Sequence, residues 1–166
     1  MKEIVAAVEK HKQLILDAER YIWKNPETGY KEYKTSAFMA ESFKKLGYEL
    51  NMAEGITGFT TVLDTGKPGP MILVLGELDS IICPDHPESD PTTGAVHSCG
   101  HNAQCAALVG VAAALKEPGV MDSLCGKIRL CAVPADHSCK LLRSADHPDG
   151  SIPDHLQLRL RSHEEL

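Results

Sequence analysis

The stretch "MILVLGELDS" (residues 71–80) decides how this chain folds. "MILVLG" (71–76) is a continuous apolar run, the pattern of a strand buried on both faces of a helix-covered sheet. Two acids, Glu77 and Asp79, follow it directly. They leave the strand at its carboxyl end, where open α/β sheets place ligand sites. Read alone, they fit a solvated strand-to-loop transition equally well.

Upstream, residues 3–24 set Ile4, Val5, Val8, Ile15, Ala18 and Ile22 on one helical face. "NPETG" (25–29) stops that helix, because Pro26 and Gly29 break helical geometry. A second helix over 32–46 aligns Phe38, Met39, Phe43 and Leu46, with Gly47 just past its end. "YEL" (48–50) begins a short strand. Residues 58–65 read as another, joined to 71–76 by the turn-rich "GKPGP".

Downstream, "ELDSIICPDHPESDPTTGAV" (77–96) is rich in Pro and Asp and has no period. Loops of this length inside a domain are functional or disordered. "NAQCAALVGVAAALK" (102–116) is an alanine-rich helix whose small side chains suit close packing on a sheet. "GKIRLCAV" (126–133) is a strand with Ile128, Leu130 and Ala132 on one side. The order helix–helix–strands–loop–helix–strand predicts an α/β fold, a layered sheet with flanking helices. From residue 137 the pattern changes. Four of the eight histidines fall there, no helical period is sustained, and only "LQLRLR" alternates like a strand.

At 166 residues the chain can build one domain with a sizeable core. No apolar run reaches the length that spans a bilayer, so a membrane is not an expected partner. A net charge of -6 with both signs interspersed argues against nucleic acid, whose phosphates need Lys/Arg-rich surface. That leaves a small molecule or another protein as partner. Charges interrupt the N-terminal apolar stripe, unlike a signal peptide, which predicts a cytoplasmic protein. Six cysteines without an export signal read as thiols or metal ligands rather than disulfides.

Two further clusters carry chemistry. "HSCGHN" (97–102) sets Cys99 and His101 on either side of a glycine, at the start of the alanine-rich helix. Thiolate and imidazole both bind zinc-like ions, and a helix N-terminus lowers a thiol's pKa. His97 reads as a third ligand, as a contact to ligand or substrate, or as an exposed loop histidine. "VPADH" (133–137) ends the last strand with Asp136 and His137. A carboxylate there can act as general base and its neighbour can bind metal. The alanine-rich helix holds Cys105 too, which reads as core.

Taken in order, "NPETGYKEYKTS" (25–36), "GELDS" (76–80), "GAVHSCGHNAQCAALVG" (94–110) and "GKIRLCAVPA" (126–135) resemble one known family. This is the metal-dependent amidohydrolase branch of the aminoacylase/carboxypeptidase metallopeptidases, which includes hippurate hydrolases and aminobenzoyl-glutamate hydrolases. The resemblance covers about residues 1–136 and implies the N-terminal part of a zinc-exopeptidase-like catalytic domain, truncated here. Residues 137–166 form an unmatched tail that reads as a divergent or out-of-frame end.

The resemblance implies a role for each residue. Cys99 and His101 match metal ligands, and Glu77 and Asp79 match acids that orient them, with His97 beside them. Where the family has Pro-Ala-Glu-Glu, this chain has "PADH". Asp136 therefore takes the general-base position with a side chain one methylene shorter, and His137 takes a ligand position. The implied cofactor is a divalent metal ion, zinc or manganese. The implied reaction is hydrolysis of an amide bond in an N-acyl or N-aroyl amino acid or a small peptide-like conjugate. The alternative is a non-catalytic fragment or remnant acting as a binding or interaction module. A sheet ending at this strand has exposed edges, which leaves a homo-oligomer open.

Overall fold

The structure, a computed structural model, describes residues 2–135. These fall within one unit, Met1–Asp136, of the two into which the chain divides. The expectations for Asp136, His137 and the tail to residue 166 lie outside the described residues. The fold is mixed α/β, as the element order predicts.

The first predicted helix is two. α1 (Lys2–Lys10) and α2 (Lys12–Trp23) meet at His11, whose backbone leaves helical geometry at φ -99°, ψ 12°. The His11 imidazole turns instead to Glu117, with Nε2 2.7 Å from Oε1, and Lys10 donates to the other oxygen of that carboxylate at 2.8 Å. The predicted apolar stripe splits accordingly. Ala18 and Ile22 of α2 are buried in the main core, whereas Ile4, Val5 and Val8 of α1 are exposed.

α3 (Tyr33–Lys45) falls where the 32–46 spacing predicts it, with Met39 and Phe43 fully buried. The short strand predicted at 48–50 lies three residues later, as β1 (Asn51–Met52). Tyr48 is drawn out of it because its hydroxyl donates to the Ala112 carbonyl at 2.8 Å. β2 (Phe59–Asp64) and β3 (Met71–Glu77) follow. A short antiparallel hairpin, β4 (Ile81–Ile82) with β5 (Ala95–Val96), closes the Pro- and Asp-rich loop. Asp90 orders the loop's tip by accepting from the amides of Thr92 and Thr93 and from the Thr93 hydroxyl. Trp23 pins its flank by donating Nε1–H to Glu88 at 2.6 Å. Then come α4 (His101–Leu115) and β6 (Lys127–Val133).

The main sheet runs β1-β2-β6-β3. β2 and β3, consecutive in sequence, are therefore not neighbours; β6 inserts between them, antiparallel to β2 and parallel to β3. One expectation fails here. Met71, Ile72 and Leu75 of β3 are exposed rather than buried on both faces. Among the described residues β3 is an edge strand paired only with β6, so no described strand covers its outer side.

Ile128, Leu130 and Ala132 share one face of β6 and join the core of Phe43, Phe59, Leu108 and Val109. Phe43 and Phe59 meet edge-to-face with centroids 5.0 Å apart, the arrangement the ring quadrupoles favour. Among the described residues no helix is long and apolar enough to cross a membrane.

Candidate metal centre

The parallel pairing of β3 with β6 sets two strand ends side by side: Glu77 faces Val133 in register, and the Leu78 amide donates to the Val133 carbonyl at 2.9 Å. α4 begins against the same edge. Its N-cap, Gly100, has φ 95°, a left-handed conformation that a side chain would resist. That turn delivers His101 as the first helical residue, directly over the acids that leave β3.

His101 sits between two carboxylates. Its Nδ1 lies 2.9 Å from Asp79 Oδ1 and 3.2 Å from the Asp79 carbonyl oxygen. Its Nε2 lies 3.1 Å from Glu77 Oε2. Both neighbours of Nδ1 are acceptors, so Nδ1 carries a proton. Nε2 faces a carboxylate oxygen, and two such lone pairs require a cation between or beside them, either a proton or a metal ion. Ligands at ~2.1 Å from one ion sit roughly 3–3.4 Å apart in octahedral or tetrahedral geometry. The 3.1 Å separation fits that spacing. The Asp79–His101 hydrogen bond is the arrangement by which a carboxylate orients a metal-binding imidazole.

Gln104 was not singled out by its sequence. Its side-chain oxygen accepts the Glu77 amide at 2.7 Å and ties the strand end to the first turn of α4. Asn102, which is buried, donates to Glu19 of α2 at 2.8 Å. Cys105 is core, as expected. Its thiol donates to the Glu77 carbonyl at 3.0 Å, and burial, followed by the charges of Glu77 and Asp79, pushes its pKa far above the ordinary thiol range. Cys99 is exposed in the turn before α4. Cys83, Cys99, Cys105 and Cys125 carry free thiols.

His97 is not an exposed loop histidine. It is 0% exposed, and among the described residues neither ring nitrogen has a hydrogen-bond partner. Burial first, and then the positive charge of nearby His101, push its pKa down to about 4. A buried polar group without a partner costs about 1–3 kcal/mol. His97→Leu, which removes both orphan nitrogens at similar volume, is therefore expected to raise unfolding stability by about 1 kcal/mol. Urea melts check this, and a destabilised variant would mean that the imidazole has a partner.

The structure thus brings Glu77, Asp79, His97 and His101 to one edge and leaves Cys99 exposed beside them. Among the described residues no group of three or more His, Cys, Asp or Glu side chains converges tightly enough to hold a metal ion. The donors at His101 are of a kind that divalent ions take, and their 3.1 Å separation is compatible with a shared ion.

No family model matches the chain. Thermostable carboxypeptidase 2 of Saccharolobus solfataricus is 33% identical over 135 residues, which cover 78% of this chain and 33% of the relative. N-acetyl-L-cysteine deacetylase of Bacillus subtilis is 33% identical over 130 residues, 76% of this chain and 30% of the relative. IAA-amino acid hydrolase ILR1-like 4 of Arabidopsis thaliana is 30% identical over 120 residues, 70% and 27% of the two chains. The chain spans about a third of the length of these curated relatives.

Two solved structures share the fold. One is the Bacillus subtilis YXEP protein, described as a dinuclear metal binding peptidase from the M20 family, with TM-score 0.65 and 21% identity over 76% of this chain and 36% of that one. The other is an aminobenzoyl-glutamate utilization protein from Klebsiella pneumoniae, with TM-score 0.63 and 20% identity over 81% of this chain and 40% of that one. With these relatives and the ordered motifs, the chain belongs to the amidohydrolase family of aminoacylases and carboxypeptidases.

Proposed function

We propose that residues 1–136 form the N-terminal part of a metal-dependent amidohydrolase catalytic domain. Its reaction is hydrolysis of the amide bond of N-acyl or N-aroyl amino acids or small peptide-like conjugates. The observation that carries this is His101, held at the carboxyl end of the sheet between Glu77 and Asp79. The substrate class follows the relatives, which are named for a deacetylase of N-acetyl-cysteine and for hydrolases of amino-acid conjugates.

In this reading Cys99 and His101 hold a divalent ion, zinc or manganese, with His137 as a further ligand. When bound, the ion supplies Lewis acidity to the amide carbonyl. Asp79 keeps the His101 Nδ1 proton in place, so that Nε2 is the atom offered to the ion. Glu77 contributes negative charge on the Nε2 side. Asp136 takes a proton from the attacking water and returns it to the leaving amine, as one general base–acid. The division into a domain at 1–136 and a separate segment at 137–166, the cytoplasmic location and assembly into a homo-oligomer belong to the same proposal.

A second reading is favoured by the incomplete shell among the described residues: a non-catalytic module that binds small amides or a partner. Zinc sites use three or four protein ligands, so two do not make a catalytic centre. One experiment separates the readings. Metal content by plasma mass spectrometry is measured on the purified protein, beside hydrolysis of an N-acyl amino acid panel. Stoichiometric metal and turnover, both lost in Cys99→Ala, are the expected result for the enzyme. Absence of both leaves the non-catalytic module.

A further inference from the structure

The stretch "NPETGYKEYKTS" (25–36) carries no role in the reaction above, yet its first half lies against the site. Glu27 is bonded at both ends. Its carboxylate accepts the Lys34 amide at 3.0 Å, the Thr35 amide at 2.9 Å and the Thr35 hydroxyl at 3.1 Å. These are donors of the first turn of α3, where unpaired N–H groups and the helix dipole favour a negative charge. Its backbone carbonyl accepts both donors of Ser80, the amide at 2.7 Å and the hydroxyl at 2.9 Å. Thr28 adds a parallel bridge to Ser80.

Two residues on, Gly29 packs against Ala135 so closely that a methyl on it would stand 2.9 Å from the Ala135 Cβ. The loop therefore lies across the ends of both β3 and β6, and Asp79 follows the first of these strands directly. A second, independent observation concerns how the loop is held. Tyr30 has φ 64°, a left-handed conformation that bulky side chains avoid. Its amide donates to Glu32 at 2.6 Å, and Glu32, fully buried, accepts from the Thr57 hydroxyl through its other oxygen at 2.6 Å. Backbone strain of this kind persists where the surroundings over-determine it, and it clusters at functional sites.

We propose that Glu27 and Ser80 are positioning residues of the metal centre, a clamp that sets the Asp79 carboxylate on His101. The inference rests on the reading of His101 as a metal ligand. The path is continuous: α3 holds the Glu27 side chain, the Glu27 carbonyl holds Ser80, and Ser80 fixes the backbone from which Asp79 reaches Nδ1 at 2.9 Å. Releasing the clamp frees Asp79 to swing and His101 to turn.

The test uses the whole chain and reads the site with and without metal. In the metal-free protein, the His101 Nδ1–H ring proton is followed by proton–nitrogen correlation, with its exchange rate against water. Cobalt(II) affinity is measured separately. Glu27→Ala and Ser80→Ala are expected to speed exchange of that ring proton about tenfold while the Leu130 amide stays protected. They are expected to weaken cobalt(II) binding about tenfold, at the lower end of what loss of an outer partner costs. Ser80→Thr, which keeps the hydroxyl, restores both.

Variants that melt earlier but keep the parent's ring-proton exchange and cobalt affinity would overturn the proposal, leaving the loop as scaffold. Should Glu27→Ala not fold, Ser80→Ala decides, since it removes one of two bonds to the same carbonyl. A parent chain that binds no cobalt while its ring proton still responds to the clamp variants would overturn the metal-site reading and sustain the clamp.

Discussion

Divalent-metal binding is expected to weaken at least ~100-fold in His101→Ala, and about 10–100-fold in Asp79→Asn. The two differ for a physical reason. Alanine removes the nitrogen that would bind the ion. Asparagine leaves that nitrogen in place but replaces a charged acceptor of the Nδ1 proton with an amide, whose NH2 group can point at the ring. The imidazole then loses both its basicity and its fixed orientation. His86→Ala is the control: His86 lies in the loop between β4 and β5 beside Trp23, and its loss should leave affinity unchanged. Cobalt(II) titration of the four proteins checks the order. Equal affinities in parent and His101→Ala would remove His101 from the site.

Gly126→Ala is expected to destabilise the fold by about 2–5 kcal/mol. Gly126 has φ 78°, which costs a residue with a Cβ roughly 1–2 kcal/mol. A methyl there would also be driven onto the Pro70 carbonyl oxygen, and would stand 2.7 Å from the Gly69 carbonyl carbon. These are backbone atoms with nowhere to go, and overpacking of this kind adds about 1–3 kcal/mol. The crossing it would force apart holds β3 to β6, since the Lys127 amide donates to the Pro70 carbonyl at 3.0 Å and the Gly126 amide to the Lys67 carbonyl at 3.0 Å. Gly47→Ala separates the two terms, because Gly47 has φ 79° and open space around the position of a Cβ. Denaturant melts of both variants should show Gly126→Ala losing clearly more. Equal losses would mean that the crossing relaxes freely.

Much of this arrangement was legible in the residues. α3, α4 and β6 lie within a residue or two of where periodicity sets them, because each has a local signal: an apolar face, an alanine-rich run, an alternation ending in Pro134. Glu77, Asp79 and His101 were legible as a group, because strand ends and helix starts converge at the edge of an α/β sheet. The break at His11 was not. Its cause is Glu117, distant in sequence, and the apolar spacing runs through it undisturbed.

The exposure of β3 was misread for a related reason. "MILVLG" shows that the strand prefers burial, while its place at the edge is set by β6, more than fifty residues later. Glu27 and Ser80 left no trace, because the contact that joins them runs through a backbone carbonyl that every residue has. The sequence around His97 fits three readings, and its complete burial excludes only that of an exposed loop histidine.

The proposed metal centre has Cys99 and His101 sharing one ion, and cobalt(II) absorption reads that directly. A cysteine thiolate bound to cobalt gives a thiolate-to-metal charge-transfer band that imidazole and carboxylate ligands do not. The parent chain is predicted to develop this band with one equivalent of cobalt(II). Cys99→Ser is predicted to lose the band, and His101→Ala to bind too weakly to show it at that stoichiometry. A parent chain with no charge-transfer band, or one that persists unchanged in Cys99→Ser, would contradict the account.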